Sequence, residues 1–192
     1  MVPMFLKKTL CLFEVDLKQN QWPTCTARLP VVYRLLDAAA WAVQPHTSHL
    51  VDRYQFQARL ERGEQFWTAQ LEAKIVSYCW ATHNPVEIGE VHCVVNPRGD
   101  ETYLYDAFTC AEYRGHNLYP ALLQGILQHS RQAGIRRALI FVLSNNVASI
   151  RGVQKAGFRE FQRMTYCNIL GLSRYVYRPR LHASAGVDLL PA

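Results

Sequence analysis

Residues 101–143 constrain the fold more than any other part of the sequence. Residues 101–109 read ETYLYDAFT, a strand-like run, and residues 138–143 read ALIFVL, an uninterrupted apolar run typical of a strand buried on both faces. Between them Leu118, Leu122 and Ile126 repeat at helical spacing, and Gly134 ends the helix. Strand, helix and strand in this order predict a βαβ unit with two parallel strands and a right-handed crossover.

The flanking segments predict a mixed, mostly antiparallel sheet with helices, an α/β (α+β) fold. Strands are expected at residues 10–17 and 30–35, helices within residues 37–62 with a break at Pro45, and an antiparallel meander over residues 65–71, 74–80 and 88–95. A short helix over residues 148–156 and strands at residues 158–169 and 174–178 follow. We expect one domain over residues 1–182, with residues 1–29 as an N-terminal strand extension and residues 183–192 as a flexible tail.

Composition excludes several classes of protein. Of 192 residues, 49% are hydrophobic and 19% are charged, which rules out a disordered or fibrous chain. There is no apolar run long enough for a transmembrane helix, and the sequence near Lys7 and Lys8 lacks the features of a secretory signal. We therefore expect a cytoplasmic protein without membrane contact.

Cysteine spacing and net charge restrict the ligands. The cysteines contain no CxxC pair, so we expect reduced thiols and no metal; they are Cys11, Cys25, Cys79, Cys93, Cys110 and Cys167. Lysine and arginine number 21 against 15 acidic residues, which favours an anionic ligand such as a phosphate. Because most cations are scattered, we expect no nucleic-acid binding. The alternative is binding through the basic C-terminal residues Arg174, Arg178 and Arg180.

Two loops at the carboxyl ends of the expected parallel strands are candidates for binding that anion. Arg114 and Gly115 lead into the long helix, whose first backbone N–H groups are unpaired and attract negative charge. Asn145, Asn146 and Ser149 follow the next strand at the same sheet edge, where open α/β sheets bind ligands. The alternatives are that Gly115 only forms a tight turn and that one of the three polar residues only caps the short helix.

The same residues resemble those of a known family. The string YRGxxLxxxLL begins at Tyr113, and NxxSxRxxxKxGF begins at Asn146 and ends at Phe158. Together they look like the GCN5-related N-acetyltransferases, the GNAT superfamily, with the second string the more specific. The likeness covers roughly residues 30–166, and it implies a sheet that splays apart at its central parallel strand pair.

The resemblance implies acetyl-CoA or another acyl-CoA as co-substrate, with its pyrophosphate bound at the start of the long helix. The cofactor-binding residues it implies are Phe108, Thr109, Arg114, Gly115, His116, Asn117, Leu118, Tyr119, Asn146, Ser149 and Arg151. Asn117 and Tyr119 stand where the family usually has Gly and Gly or Ala. Val153 stands where family members often have the tyrosine that protonates the departing thiolate, so Tyr119 or another tyrosine would have to replace it, or the thiolate would leave without a protein acid.

The implied reaction is attack of a primary amine on the thioester, with a carboxylate as base. Asp106 is the first candidate, because it is a lone carboxylate in an apolar strand, and Glu90 is the second. The alternative for Asp106 is an ion pair with an arginine or a backbone cap. We expect a small-molecule amine such as an amino sugar as acceptor, with a protein N-terminus or lysine as the second choice and a homodimer possible. The rival interpretation is a binding module that keeps the fold and has lost turnover.

Overall fold

The computed structural model describes residues 5–18, 23–42, 52–178, 181 and 187–191. The predicted helix break at Pro45 lies outside them. The secondary-structure elements are, in chain order, β1 (Phe5–Asp16), β2 (Val32–Leu36), α1 (Ala38–Ala42), α2 (Arg53–Glu61), β3 (Gln65–Leu71), β4 (Lys74–Thr82), β5 (Val86–Ile88), β6 (Cys93–Asn96), β7 (Glu101–Thr109), α3 (Leu118–Gln132), β8 (Arg137–Leu143), α4 (Val147–Lys155), β9 (Arg159–Ile169), β10 (Leu172–Tyr177) and β11 (Asp188–Pro191).

Eight of these strands form the main sheet, in the order β10-β9-β1-β8-β7-β4-β3-β2. Strands β7 and β8 are parallel, and the other neighbours in this sheet are antiparallel. The chain passes from β7 to β8 through α3, which confirms the predicted βαβ unit and the mixed, mostly antiparallel sheet.

The parallel pair is joined at one end and open at the other. Pairing runs from Glu101 opposite Arg137 to Leu104 opposite Ile140 and then stops, although β7 continues to Thr109 and β8 to Leu143. At the joined end the buried guanidinium of Arg137 contacts Glu101 at 2.6 Å and Glu14 of β1 at 2.5 Å. The two strands therefore diverge towards the edge where the sequence predicts the ligand.

Strand β1 lies in the middle of the main sheet, between β8 and β9. The expected N-terminal strand is part of the core, because Leu10, Cys11, Leu12 and Phe13 are all almost completely buried. Four consecutive apolar residues are typical of a strand covered on both faces, as in β8. Only long-range pairing decides which strands β1 joins.

The segment predicted as the third strand of the meander belongs to a second, three-stranded sheet. Its order is β11-β6-β5, and a turn over residues 89–92 separates β5 from β6, with His92 in the left-handed region at φ 47°. Val91, Cys93 and Val95 pack with Tyr103 and Leu139 of the main sheet. Residues 188–191, which were expected to belong to a flexible tail, form β11 and pair with β6, whereas residues 182–186 and 192 lie outside the described part.

The main sheet is covered on both faces. Alternate residues of a strand point to opposite faces, and Leu104 and Ile140 pack with Leu122 and Leu123 of α3, whereas Tyr103 and Leu139 face the small sheet. Helices α1 and α2 cover the neighbouring region through an aromatic cluster that includes Trp41, Phe56, Phe66 and Trp80. No helix in the described residues has the length and apolar character needed to cross a membrane.

Candidate functional site

Two cavities meet where β7 and β8 diverge. The helix cleft, of about 460 Å³, is lined by the end of β7, the start of α3 and one side of α4. The strand cavity, of about 370 Å³, is lined by β7, β8, α2 and the turn after β5. Both are lined by Ala107, Tyr119, Asn146 and Ser149, so the two cavities adjoin at these four residues.

A β-bulge directs β7 into this junction. Tyr78 of β4 pairs with Phe108 and Trp80 pairs with Tyr105, so Cys79 lies opposite both Asp106 and Ala107. Asp106 takes a left-handed backbone conformation at φ 45°. A bulge leaves backbone polar groups unpaired and bends its strand, and both effects open the sheet beside Ala107.

The start of α3 presents free backbone N–H groups to the helix cleft. Gly115 has φ 82° and Asn117 has φ 57°, and Asn tolerates this region better than most side chains do. Asn117 makes no side-chain cap to the helix, so the N–H groups of Leu118 and Tyr119 remain available, and Pro120 has none. The sequence departure at Asn117 therefore keeps the loop conformation that a glycine would provide.

The charges that line the helix cleft all have one sign. Arg114, Arg151 and Lys155 line it, and no acidic residue does so among the residues described. The Lys155 Nζ donates to Asn117 Oδ1 at 3.3 Å, and Arg114 Nε donates to the Thr109 carbonyl at 3.1 Å. Three cations beside a helix N-terminus provide the charge that favours phosphate groups.

Tyr119 lies at the junction of the two cavities. Its hydroxyl is 3.4 Å from Ser149 Oγ, and burial raises the pKa of Tyr119, so the hydroxyl stays protonated at neutral pH. Its ring is accommodated by Gly152, where a Cβ atom would lie only 2.5 Å from the Tyr119 Cδ1. Val153 is fully buried in the core beneath α4. Tyr119 is therefore a hydroxyl donor that this chain brings to the junction from α3.

Asp106 lines the strand cavity and is paired with Arg59 of α2. The Arg59 Nη1 lies 2.5 Å from Asp106 Oδ2, and the guanidinium stacks over the rings of Trp80 at 4.9 Å and Tyr105 at 5.3 Å. An ion pair with an arginine was the expected alternative to a catalytic role, and Arg59 is that arginine. Because Arg59 neutralises the carboxylate and occupies one of its oxygens, the geometry weighs against Asp106 as the base, which stays a prediction.

Glu90 also lines the strand cavity, on the exposed turn after β5 and beside Glu87. Glu90 was expected on the strand over residues 88–95, and this prediction is wrong because residues 89–92 form a turn. Both carboxylates are exposed. They give the rim of the strand cavity a negative charge that attracts an ammonium group.

A buried carboxylate that the sequence did not single out lies behind the strand cavity. The hydroxyl of Tyr105, which lines the cavity, donates to Glu64 Oε2, and Arg62 Nε donates to Glu64 Oε1 at 2.8 Å. The Glu64 side chain is only 2% exposed. Burial first, and then the bond to Glu64, raise the pKa of Tyr105. No local motif marks Glu64 or Arg59, because their contacts with β7 join distant parts of the chain.

Most of the residues that the resemblance implied for the cofactor lie around the helix cleft. The exception is His116, which does not line the cleft and whose carbonyl accepts a hydrogen bond from Arg28 N at 2.9 Å. Asn146 does cap α4, as the alternative held, because its Oδ1 accepts from Ser149 N at 3.1 Å. The implied residues that line the cleft are Phe108, Thr109, Arg114, Gly115, Asn117, Leu118, Tyr119, Asn146, Ser149 and Arg151. Lys155, Gly152 and Tyr113 line it as well and were not predicted.

The described residues contain no group of three or more His, Cys, Asp or Glu side chains that could hold a metal ion. Six cysteines lie among the described residues, and none of them forms a disulfide; they are Cys11, Cys25, Cys79, Cys93, Cys110 and Cys167. The junction itself brings together a cationic cleft, the Tyr119 hydroxyl and a cavity rimmed by carboxylates.

Comparison with known proteins identifies the family. The sequence model of the acetyltransferase (GNAT) family matches residues 29–158, which is more than half of the chain. The chain belongs to the GNAT acetyltransferase family. No curated protein sequence matches it significantly.

Solved structures share the fold at low sequence identity. A putative GNAT-family acetyltransferase from Novosphingobium aromaticivorans is 15% identical with a TM-score of 0.58, and the match covers 86% of this chain and 66% of that one. A GNAT-family acetyltransferase from Colwellia psychrerythraea is 14% identical with a TM-score of 0.58, over 84% of this chain and 55% of that one. A GCN5-related N-acetyltransferase from Sphaerobacter thermophilus is 14% identical with a TM-score of 0.58, over 85% and 52%. The chain thus spans between about half and two thirds of the length of these structures.

Proposed function

We propose that this chain is an acyl-CoA-dependent N-acyltransferase that transfers acetyl from acetyl-CoA to a primary amine of a small molecule such as an amino sugar. The observation that carries the proposal is the junction of two cavities of opposite character. A cleft lined by cations at a helix N-terminus meets a cavity rimmed by carboxylates, at a gap between two strands.

The helix cleft has the chemistry that acetyl-CoA requires. The N–H groups of Leu118 and Tyr119 would hold the pyrophosphate, and Arg114, Arg151 and Lys155 would neutralise its charge. The unpaired edges of β7 and β8 beyond Leu104 and Ile140 offer backbone donors and acceptors to the amide groups of the pantetheine arm. When bound, acetyl-CoA supplies a thioester whose carbonyl carbon accepts the amine.

The strand cavity has the chemistry that an amine requires. Glu87 and Glu90 attract the ammonium form of the acceptor, and the Asp106–Arg59 pair lines the wall beside Tyr105. We propose that Asp106 and Glu90 orient the acceptor in this cavity. A volume of about 370 Å³ suits a small molecule, which favours an amino sugar over a protein chain.

Tyr119 is the group that we propose donates a proton to the departing sulfur. Its hydroxyl lies at the junction of the cavities, and burial keeps it protonated by raising its pKa. Because acetyl-CoA is available in the cytoplasm, we propose that the protein acts there.

The test is amine-dependent thiol release from acetyl-CoA, followed with glucosamine, an alanyl dipeptide and Nα-acetyl-lysine amide as acceptors. We expect turnover with at least one of them and fastest turnover with glucosamine. Fastest turnover with the dipeptide or the lysine derivative would support a protein acceptor. Acetyl-CoA binding without amine-dependent thiol release would support the binding module instead.

A further inference from the structure

Glu64 is a buried carboxylate beside the strand cavity, and its two partners are Arg62 and Tyr105. Its side chain is 2% exposed, and a buried carboxylate is costly unless charged or polar partners compensate it. One partner is Arg62, whose side chain is 54% exposed, and the other is the hydroxyl of Tyr105. Glu64 thus connects a residue that lines the strand cavity with a residue at the surface.

We propose that Tyr105 and Glu64 form a proton relay that deprotonates the acceptor amine in the strand cavity. The proposal rests on the proposed acyl transfer and names the group that performs one step of it. Tyr105 would meet the amine directly, and Glu64 acts through Tyr105. The relay takes the place of Asp106, whose Oδ2 is held by Arg59 at 2.5 Å.

The relay moves one proton from the ammonium group to Glu64 before the amine attacks. An ammonium N–H proton passes to Tyr105 Oη while the Tyr105 hydroxyl proton passes to Glu64 Oε2, which leaves a neutral amine, an intact tyrosine and a protonated Glu64. The amine nitrogen then bonds to the acyl carbon and the carbon–sulfur bond breaks. Tyr119 gives its hydroxyl proton to the departing sulfur, and the second proton lost by nitrogen restores the Tyr119 hydroxyl. Glu64 returns its proton to solvent past the exposed end of Arg62.

The surroundings of Tyr105 suit this role. It remains protonated at neutral pH because burial and Glu64 raise its pKa, so its hydroxyl hydrogen is directed at Glu64 and its oxygen lone pairs remain able to accept. The charged groups that face the relay are Arg59 from α2, Arg62 after α2, Asp106 on β7, and Glu87 and Glu90 from the β5 turn. Arg59 and Arg62 place positive charge beside the relay, and the exposed carboxylates of Glu87 and Glu90 draw in the ammonium.

The test compares pH–rate profiles of the full chain with saturating acetyl-CoA, using the fastest of the three acceptors named above. In Glu64→Gln and Tyr105→Phe we expect the rate at pH 7 to fall about 100-fold to 1,000-fold, the lower part of the range for general base catalysis. The rate should then rise about tenfold per pH unit until the amine is deprotonated in solution, so that the loss shrinks at alkaline pH. The affinity for acetyl-CoA should stay unchanged.

The matched controls are Glu61→Gln and Tyr54→Phe, which remove an exposed carboxylate and an exposed hydroxyl on α2 outside both cavities. Both should keep the wild-type profile. A loss in Glu64→Gln that is the same at every pH would show a structural role and overturn the relay. If Glu64→Gln fails to fold, Tyr105→Phe decides the question, because it retains the Glu64–Arg62 contact. An unchanged rate in Tyr105→Phe would also overturn the relay. Absence of amine-dependent thiol release in the wild type would overturn the proposed function itself.

Discussion

At the scale of single residues, the close packing of the Tyr119 ring against Gly152 shapes the junction of the two cavities. A tyrosine enters the junction from α3, and the missing side chain at Gly152 of α4 provides its space. Both departures, Tyr119 at the start of α3 and Val153 on α4, are visible in the sequence. The sequence does not show that Gly152 leaves room for the Tyr119 ring. Spacing along one helix gives no information about contacts with another helix, and the same limit hid Arg59 and Glu64.

Gly152→Ala tests this pairing. Because the new Cβ would lie 2.5 Å from the Tyr119 ring, we expect a cost of about 1–3 kcal/mol, typical of overpacking, divided between stability and acetyl-CoA affinity. Urea unfolding and calorimetric titration measure the two parts. In a Tyr119→Ala background the same substitution should cost almost nothing, and a full cost there would disprove the pairing.

At the scale of elements, the divergence of β7 from β8 creates the site, and the position of β1 supports it. The βαβ unit was predictable because its helical period and apolar strands are local signals. The position of β1 was not, since its apolar run is compatible with any strand buried on both faces and only pairing with β8 and β9 fixes it. The same applies to β11, which pairs with β6 from the far end of the chain.

Phe13→Ala tests the central position of β1. Phe13 is fully buried and packs with the residues beneath α3, so its truncation should lower the free energy of unfolding by about 3–5 kcal/mol. Lys7→Ala on the exposed part of the same strand is the control and should change stability by less than about 0.5 kcal/mol. Similar small effects at both positions would show that β1 is a dispensable extension.

Arg151 of α4 is one of the cations that we expect to bind the phosphates of acetyl-CoA. Arg151→Ala should weaken acetyl-CoA binding about 10-fold to 150-fold at low salt, which corresponds to about 1.5–3 kcal/mol for a hydrogen bond to a charged group. The loss should shrink in high salt, because screening weakens the interaction that was removed. Arg159→Ala, at an exposed position outside both cavities, is the control, and an equal loss there would show a general charge effect.

At the scale of the whole molecule, burial of a cysteine thiol and a tyrosine hydroxyl makes the folded state less stable at alkaline pH. Burial raises the pKa of Cys93 to about 11 and that of Tyr78 to about 12. Between pH 9 and these values the unfolded chain loses protons that the folded chain keeps. Through these two groups, the free energy of unfolding changes little below about pH 9 and falls as the pH rises above it.

Cys93→Ala separates one contribution to this loss. A shift of two pKa units corresponds to at most about 2–3 kcal/mol, so the variant should lose that much less stability than wild type between pH 8 and pH 11. Urea unfolding at four pH values in that range measures the slope. Identical slopes in both proteins would show that the thiol ionises equally in the folded and unfolded states.

We expect the cationic helix cleft beside the divergent strands to bind acetyl-CoA even with Asn117 and Tyr119 at the start of α3. The most direct measurement is a calorimetric titration of the full chain with acetyl-CoA at moderate salt, with free CoA as the comparison. The structure predicts a micromolar dissociation constant, about −8 kcal/mol, for acetyl-CoA. No binding up to about millimolar concentration, weaker than about −4 kcal/mol, would contradict it.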